Sequence, residues 1–120
     1  MEKMKILYVD DEFINLQLFE INLGGKYHVF TADSAMNGLQ ILEENSDIEL
    51  VLSDMKMPQM NGIEFIKIAK EKYPTKTYCM ITGYDVTTEI QNALNEGLIL
   101  NYFRKPFNMD ELEYEFEKLI

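Results

Sequence analysis

The sequence predicts an α/β fold in which five parallel strands form one sheet, with helices packed on both faces. Short apolar runs alternate five times with segments whose apolar residues recur at helical spacing. The runs are continuously apolar, as expected of strands that are covered on both faces. Strands that alternate in this way with helices are typical of a parallel sheet.

The first run, Lys5 to Val9, predicts a buried strand that ends at Asp10-Asp11. The segment 14–23 then predicts a helix that ends at Gly24-Gly25, because glycine is common at helix C-termini. The apolar face of this helix carries Leu16, Phe19 and Leu23.

Two strands and two helices are predicted in the middle of the chain. Tyr27 to Thr31 is the second strand, and either Asp33 or Ser34 can cap the helix that follows it. Leu50 to Ser53 predicts the third strand. The next helix follows Asn61-Gly62 and ends near Lys72, because Tyr73-Pro74 disfavours its continuation.

The remaining strands and helices follow the same alternation. Thr77 to Ile81 predicts the fourth strand, and the next helix begins at Asp85 or Thr87 and closes at Gly97. Leu98 to Phe103 is the predicted fifth strand. The last helix begins where Asn108 and Glu111 have capping-box spacing, and its apolar face carries Met109, Leu112, Phe116 and Leu119.

The length and composition of the chain exclude several classes of protein. For 120 residues we expect a single domain over residues 1–120. The formal net charge of -10 argues against direct binding to nucleic-acid phosphates or anionic lipid. The N-terminus lacks the apolar length of a signal peptide, and no stretch approaches the ~20 apolar residues of a membrane span, so we expect a cytoplasmic protein. The one cysteine, Cys79, lies in an apolar run and is expected to be buried.

Polar residues follow four of the predicted strands, at the edge where parallel strands end. They are Asp10-Asp11, Asp54, Thr82 and Lys105, and we expect them to form one site. Three carboxylates at one place repel one another, so a divalent cation and a lysine are expected to keep them ionised. Oxygen ligands favour Mg²⁺, and the absence of histidine and cysteine from these positions argues against zinc.

The chemistry expected of such a site is phosphoryl transfer, which depends on position and charge more than on a strong base. Asp54 ends the central strand and is the best candidate for the nucleophile. Lys105 and the Thr82 hydroxyl can hold phosphoryl oxygens, and the Lys56 backbone carbonyl can reach the metal.

Four motifs in order resemble the receiver domain of two-component response regulators, and the resemblance covers essentially the whole chain. The motifs are Val9-Asp10-Asp11-Glu12, Ser53-Asp54-Met55-Lys56-Met57-Pro58-Gln59-Met60-Asn61-Gly62, Ile81-Thr82-Gly83-Tyr84 and Arg104-Lys105-Pro106-Phe107. The resemblance implies the flavodoxin-like receiver fold, with the strand order 2-1-3-4-5.

The resemblance also implies a function. A histidine kinase or a histidine phosphotransfer protein would pass a phosphoryl group to Asp54, and Lys105 would pair with that group. The Lys105-Pro106 peptide is expected to be cis, as in the family. Mg²⁺ would be held by Asp54, by Asp11 directly, by Asp10 through water and by the Lys56 carbonyl.

A conformational switch is implied by the same resemblance. Thr82 would move toward the phosphoryl group, and the Tyr102 ring would turn inward with it. The face formed by the fourth helix, fifth strand and fifth helix would then bind an output domain, a downstream protein or a second phosphorylated copy. Lys56 and Tyr84 occupy positions that gate water access to the phosphoryl group in this family, so we expect them to set its lifetime.

Two other function classes fit the sequence less well. A phosphorylation-independent interaction module with a receiver fold usually lacks an acidic residue, the acceptor or the lysine, and this chain has all of them. A magnesium phosphatase for small substrates commonly carries a second aspartate two residues after its nucleophile, where this chain has Lys56. We therefore expect no separate small-molecule substrate, and only phosphorylation and slow dephosphorylation of Asp54.

Overall fold

The computed structural model describes residues 3–83, 87–105 and 108–119. Its strands are all parallel and lie in one sheet, in the order β2-β1-β3-β4-β5. This arrangement confirms the predicted fold class and strand order. The elements are β1 (Lys5–Val9), α1 (Phe13–Leu23), β2 (His28–Ala32), α2 (Ala35–Glu44), β3 (Leu50–Asp54), α3 (Gly62–Lys72), β4 (Thr77–Thr82), α4 (Thr88–Asn95), β5 (Asn101–Arg104) and α5 (Met109–Leu119).

The core has two halves, one on each face of the sheet. Successive residues of a strand point to opposite faces, so the continuous apolar runs supply both halves. In β1, Leu7 and Val9 face the half that includes α2, α3 and α4, while Ile6 and Tyr8 face the half that includes α1 and α5. Cys79 is fully buried in the second half, and burial raises the pKa of its thiol to about 12.

The helix caps follow the side chains that the sequence offers. Ser34, and not Asp33, caps α2 by accepting from the Asn37 backbone N–H at 3.1 Å. The other caps are Asn61 in a complete capping box, Thr87 and Asn108, each of which accepts from a backbone N–H three residues on. The alternative start at Asp85 lies outside the described residues. Within the described ranges, no helix is long and apolar enough to span a membrane.

The prediction for the fifth strand is wrong at its start, because β5 begins at Asn101 and not at Leu98. Gly97 adopts a left-handed backbone with φ of 77°. The backbone N–H groups of Leu98 and Ile99 then both donate to the Ala93 carbonyl, at 2.9 and 3.3 Å. These two N–H groups therefore satisfy a carbonyl at the end of α4 and do not form hydrogen bonds with β4.

Strand register aligns the polar residues that end the strands. Val9 pairs with Ser53, so that Asp10 and Asp54 follow paired positions on adjacent strands. Thr82 pairs with Arg104 on the adjacent strand, and Lys105 directly follows Arg104. Thr82 and Lys105 therefore lie near each other at the same edge of the sheet. The carboxyl edge of the sheet therefore gathers residues from four strands.

Gly62 allows α3 to begin directly against this edge. A Cβ atom at Gly62 would lie 2.2 Å from the Asp54 carbonyl oxygen, and the Gly62 backbone N–H donates to the Met55 carbonyl at 2.9 Å. A side chain there would force the start of α3 away from the residue that ends β3.

We therefore expect Gly62→Ala to lower the free energy of unfolding by about 1–3 kcal/mol, because the added methyl group meets backbone. Urea denaturation would measure the loss. Gly25→Ala is the matched control: a Cβ there has nothing within 4 Å, and its effect should stay within about 0.5 kcal/mol. Equal effects of the two substitutions would contradict the close approach.

Candidate functional site

Three aspartates meet at the carboxyl edge of the sheet. Carboxylate oxygens of Asp10, Asp11 and Asp54 all lie within 4.8 Å of one another. Asp10 is fully buried and Asp54 is 5% exposed, whereas Asp11 is exposed. The cluster opens into a cleft of about 400 Å³, which is lined by Asp11, Glu12, Asp54, Lys56, Gly83 and Lys105.

Lys105 bridges the two buried carboxylates. Its Nζ lies 2.9 Å from Asp10 Oδ2 and 3.2 Å from Asp54 Oδ1. Glu12 Oε1 is farther away, at 3.9 Å. The Lys105 backbone N–H also donates to the Thr82 carbonyl at 2.9 Å. One residue thus links the ends of β1, β3 and β4.

Asp10 is held by further donors that sequence reasoning missed. The Tyr8 hydroxyl and the Asn15 amide both donate to Asp10 Oδ2, the latter at 3.2 Å. The Glu12 backbone N–H donates to Oδ1 at 2.9 Å. One signal was available: Tyr8 lies two residues before Asp10, so both side chains project from the same side of one extended segment.

Burial is the main influence on the pKa of Asp54. It raises the pKa of Asp54 to about 6, with a further contribution from the negative charge of Asp10, against the opposing effect of Lys105. For Lys105, burial alone would lower the pKa, but hydrogen bonding and attraction to Asp10 and Asp54 outweigh it and raise the pKa. The lysine is therefore firmly protonated at neutral pH.

The donor set fits a hard divalent cation. The described cluster offers carboxylate oxygens from three residues, one of them solvent-exposed, which suits an ion that keeps several waters. Soft ligands, which select zinc, are absent from the cluster. The acidic cluster, the lysine beside it and the open cleft together fit a Mg²⁺ ion that is bound next to a phosphate group.

The other predicted site residues differ in their exposure and in the clefts that they line. Lys56 is exposed at the rim of the cleft, and Thr82 is 1% exposed at the end of β4. Tyr102 is half-buried on β5, and lines a separate groove between β5 and α5. Tyr84 and the proline of the Lys105-Pro106 peptide lie outside the described residues.

Comparison with known proteins gives a consistent result. A family model described as the response regulator receiver domain matches residues 6–117. The chain is 34% identical to sporulation initiation phosphotransferase F of Bacillus subtilis, over 97% of this chain and 93% of that protein. It also resembles the signal receiver domain of an HD domain-containing protein from Pseudomonas fluorescens Pf-5, with 30% identity, a TM-score of 0.88 and coverage of 98% and 94%.

A third similar structure is that of response regulator protein TrrA from Thermotoga maritima, in complex with Mg²⁺-BeF. It is 27% identical to this chain, with a TM-score of 0.84, and the match covers 98% of this chain and 99% of that one.

The raised pKa of Asp54 leads to a prediction about stability. The folded protein holds the Asp54 proton more tightly than an unfolded chain does, because 6 lies above the ordinary value of 3.8. The stability that this proton contributes is present below about pH 4 and is lost as the pH rises through about 6. In EDTA, Asp54→Asn should therefore be more stable than the parent by about 1–3 kcal/mol at pH 8, and by less at pH 5.

Urea denaturation at the two pH values measures this difference. Asp47→Asn is the control, because Asp47 is exposed and pairs with Lys5 away from the cluster, so no gain is expected from it. A gain for Asp54→Asn that is the same at both pH values would contradict the assignment of the pH dependence to Asp54.

Proposed function

This chain belongs to the family of response regulator receiver domains, and we propose that Asp54 is the residue on which it accepts its phosphoryl group. Receiver domains of this family work between histidine kinases and output modules in two-component signal transduction. We propose further that residues 1–120 form one such domain and that it acts in the cytoplasm. The observation that carries the proposal is that Lys105 bridges Asp54 and Asp10, two of the three aspartates in the carboxylate cluster.

Asp54 has the position and charge of a nucleophile. Its carboxylate lies at the cleft and, with a pKa of about 6, is mostly ionised at neutral pH. We infer that one of its oxygens attacks phosphorus of a phosphohistidine, the new O–P bond forming as the N–P bond breaks. The electron pair of that bond leaves with the imidazole. Lys105 Nζ, already 3.2 Å from Asp54 Oδ1, would then pair with a phosphoryl oxygen.

The residues proposed to hold Mg²⁺ are Asp11 and Asp54 directly, Asp10 through water, and Lys56 through its backbone carbonyl. Their support is the short separation of the three carboxylates and the place of Lys56 at the rim of the cleft. When bound, the ion supplies neutralisation of charge on the phosphoryl oxygens. Asp54 is thereby kept ionised for attack, because a nearby cation lowers the pKa of a carboxylate.

We propose Thr82 and Tyr102 as the switch pair. Thr82 is buried at the end of β4, and Met80 of the same strand pairs with Tyr102 on β5. Tyr102 is half-buried and shares a groove with Arg104, Asn108 and Glu111. A change at Thr82 therefore has a short route to the surface of α4, β5 and α5, which we propose as the contact for an output module or a second phosphorylated copy.

The surface beside the cleft supports a protein as phosphodonor. Phe13, directly after the cleft residue Glu12, is 69% exposed, and three further apolar residues of α1 are exposed. They are Ile14, Leu18 and Ile21, which share one face of the helix. A contiguous exposed apolar patch marks a protein contact more often than a small-molecule site. It favours a histidine kinase or phosphotransfer protein over a small substrate.

The direct test uses acetyl phosphate as a small phosphodonor with Mg²⁺, followed by intact mass measurement. We expect one phosphoryl adduct on the parent protein, none on Asp54→Ala and none in EDTA. Asp33→Ala, which changes an exposed aspartate outside the cluster, should retain the adduct. An adduct that survives in Asp54→Ala would overturn the assignment of the acceptor.

A second test concerns the lifetime of the phosphorylated protein. If the side chains of Lys56 and Tyr84 obstruct the approach of water in line with the O–P bond, then Lys56→Ala and Tyr84→Ala should each lose labelled phosphate severalfold faster. Lys67→Ala, an exposed lysine on α3, serves as the control. Unchanged decay in both the Lys56→Ala and Tyr84→Ala variants would rule out the gating role.

A further inference from the structure

Tyr8 belongs to the core by its ring and to the site by its hydroxyl. The residue is fully buried, and its ring lies 4.7 Å from the Phe19 ring, centroid to centroid. The hydroxyl reaches along β1 and donates to Asp10 Oδ2. Most buried tyrosine hydroxyls donate to an acceptor, and a backbone carbonyl is sufficient, as Tyr78 shows by donating to the Tyr73 carbonyl at 2.8 Å.

The donors around Asp10 are distributed unequally between its two oxygens. Oδ2 accepts from Tyr8, from Asn15 at 3.2 Å and from Lys105 at 2.9 Å. Oδ1 accepts from the Glu12 backbone N–H at 2.9 Å. A carboxylate offers about four lone-pair directions in all. Oδ2 is therefore saturated by protein donors, and the remaining acceptor capacity lies on Oδ1.

We propose that Tyr8, assisted by Asn15, is a positioning residue that fixes the Asp10 carboxylate so that Oδ1 is the oxygen presented to the hydrated cation. The inference rests on the proposed function in one respect, namely that Asp10 serves the metal. Tyr8 does not contact the ion or the phosphoryl group. It acts through Asp10. In many metal sites, hydrogen-bond donors that do not touch the ion orient its ligands in this way.

The donors come from three separate parts of the chain. Tyr8 lies within β1, Asn15 in the first turns of α1, and Lys105 just beyond β5. Tyr8 is held by the core and Asn15 by the helix, whereas Lys105 also serves Asp54. If Lys105 turned toward a phosphoryl group, Tyr8 and Asn15 would still hold Oδ2. The orientation of Asp10 would thereby be preserved through the transfer step.

Isothermal titration of Mg²⁺ into the unphosphorylated protein tests the proposal without depending on activity. Tyr8→Phe keeps the ring and removes the hydroxyl, and we expect the Mg²⁺ dissociation constant to rise about tenfold. Tyr78→Phe is the matched control, since it also removes a buried hydroxyl from a central strand, and its dissociation constant should stay within about twofold of the parent. Asn15→Ala, at a half-buried position, should give a smaller rise than Tyr8→Phe.

Acetyl phosphate labelling at graded Mg²⁺ concentrations separates positioning from general damage. For Tyr8→Phe the Mg²⁺ concentration at half-maximal rate should increase, while the rate at saturating Mg²⁺ stays near that of the parent. Parent-like Mg²⁺ binding by both Tyr8→Phe and Asn15→Ala would overturn the positioning role and leave the proposed function intact. If Tyr8→Phe does not fold, Asn15→Ala alone decides, and parent-like binding by it overturns the proposal. Absence of Mg²⁺ binding by the parent would instead reject the metal site itself.

Discussion

The structure depends on how two buried negative charges are tolerated at one edge of a sheet. Asp10 and Asp54 are almost inaccessible to solvent, and carboxylates in such a position resist ionisation unless cations or donors offset the loss of water. Lys105 supplies a cation, and Tyr8, Asn15 and the Glu12 backbone supply donors to Asp10. The raised pKa of Asp54 shows that the compensation at this residue is incomplete.

Lys105 connects this electrostatic balance to several strands of the edge. Its ammonium group joins residues that follow or end β1 and β3, and its backbone N–H joins the end of β4. A change of charge at Asp54 therefore acts on one residue that is fixed to three strands. Tyr102 lies on β5, the strand that leads into Lys105, three residues before the lysine. In the proposed switch, a displacement of Lys105 and Thr82 would therefore reach the surface within one short segment.

Most of this edge could be predicted from the sequence because a continuous apolar run ends abruptly at its first charged residue. Asp10 and Asp54 mark the ends of two such runs, and parallel register brings strand ends together. The start of β5 was not predictable in this way, since it depends on two N–H groups that return to the Ala93 carbonyl. Tyr8 was missed because a tyrosine in an apolar run is counted as a core residue on account of its ring. The partner of its hydroxyl group is decided by the geometry of the folded strand, which brings the hydroxyl to Asp10.

Under the proposed function, the incomplete compensation at Asp54 explains why a cation and a phosphoryl group would act together. Phosphorylation would replace the single charge of the ionised Asp54 carboxylate by the about -1.5 to -2 charges that a phosphoryl group carries at neutral pH, and this would worsen the repulsion if no cation were present. A divalent cation at the carboxylates offsets that charge, and any ligand that binds the folded state preferentially stabilises it. The carboxylates of Asp10, Asp11 and Asp54 lie close together before any ligand binds, and the negative charge of Asp10 helps to raise the pKa of Asp54. Under the proposed function, relief of this repulsion would therefore supply part of the free energy for the switch.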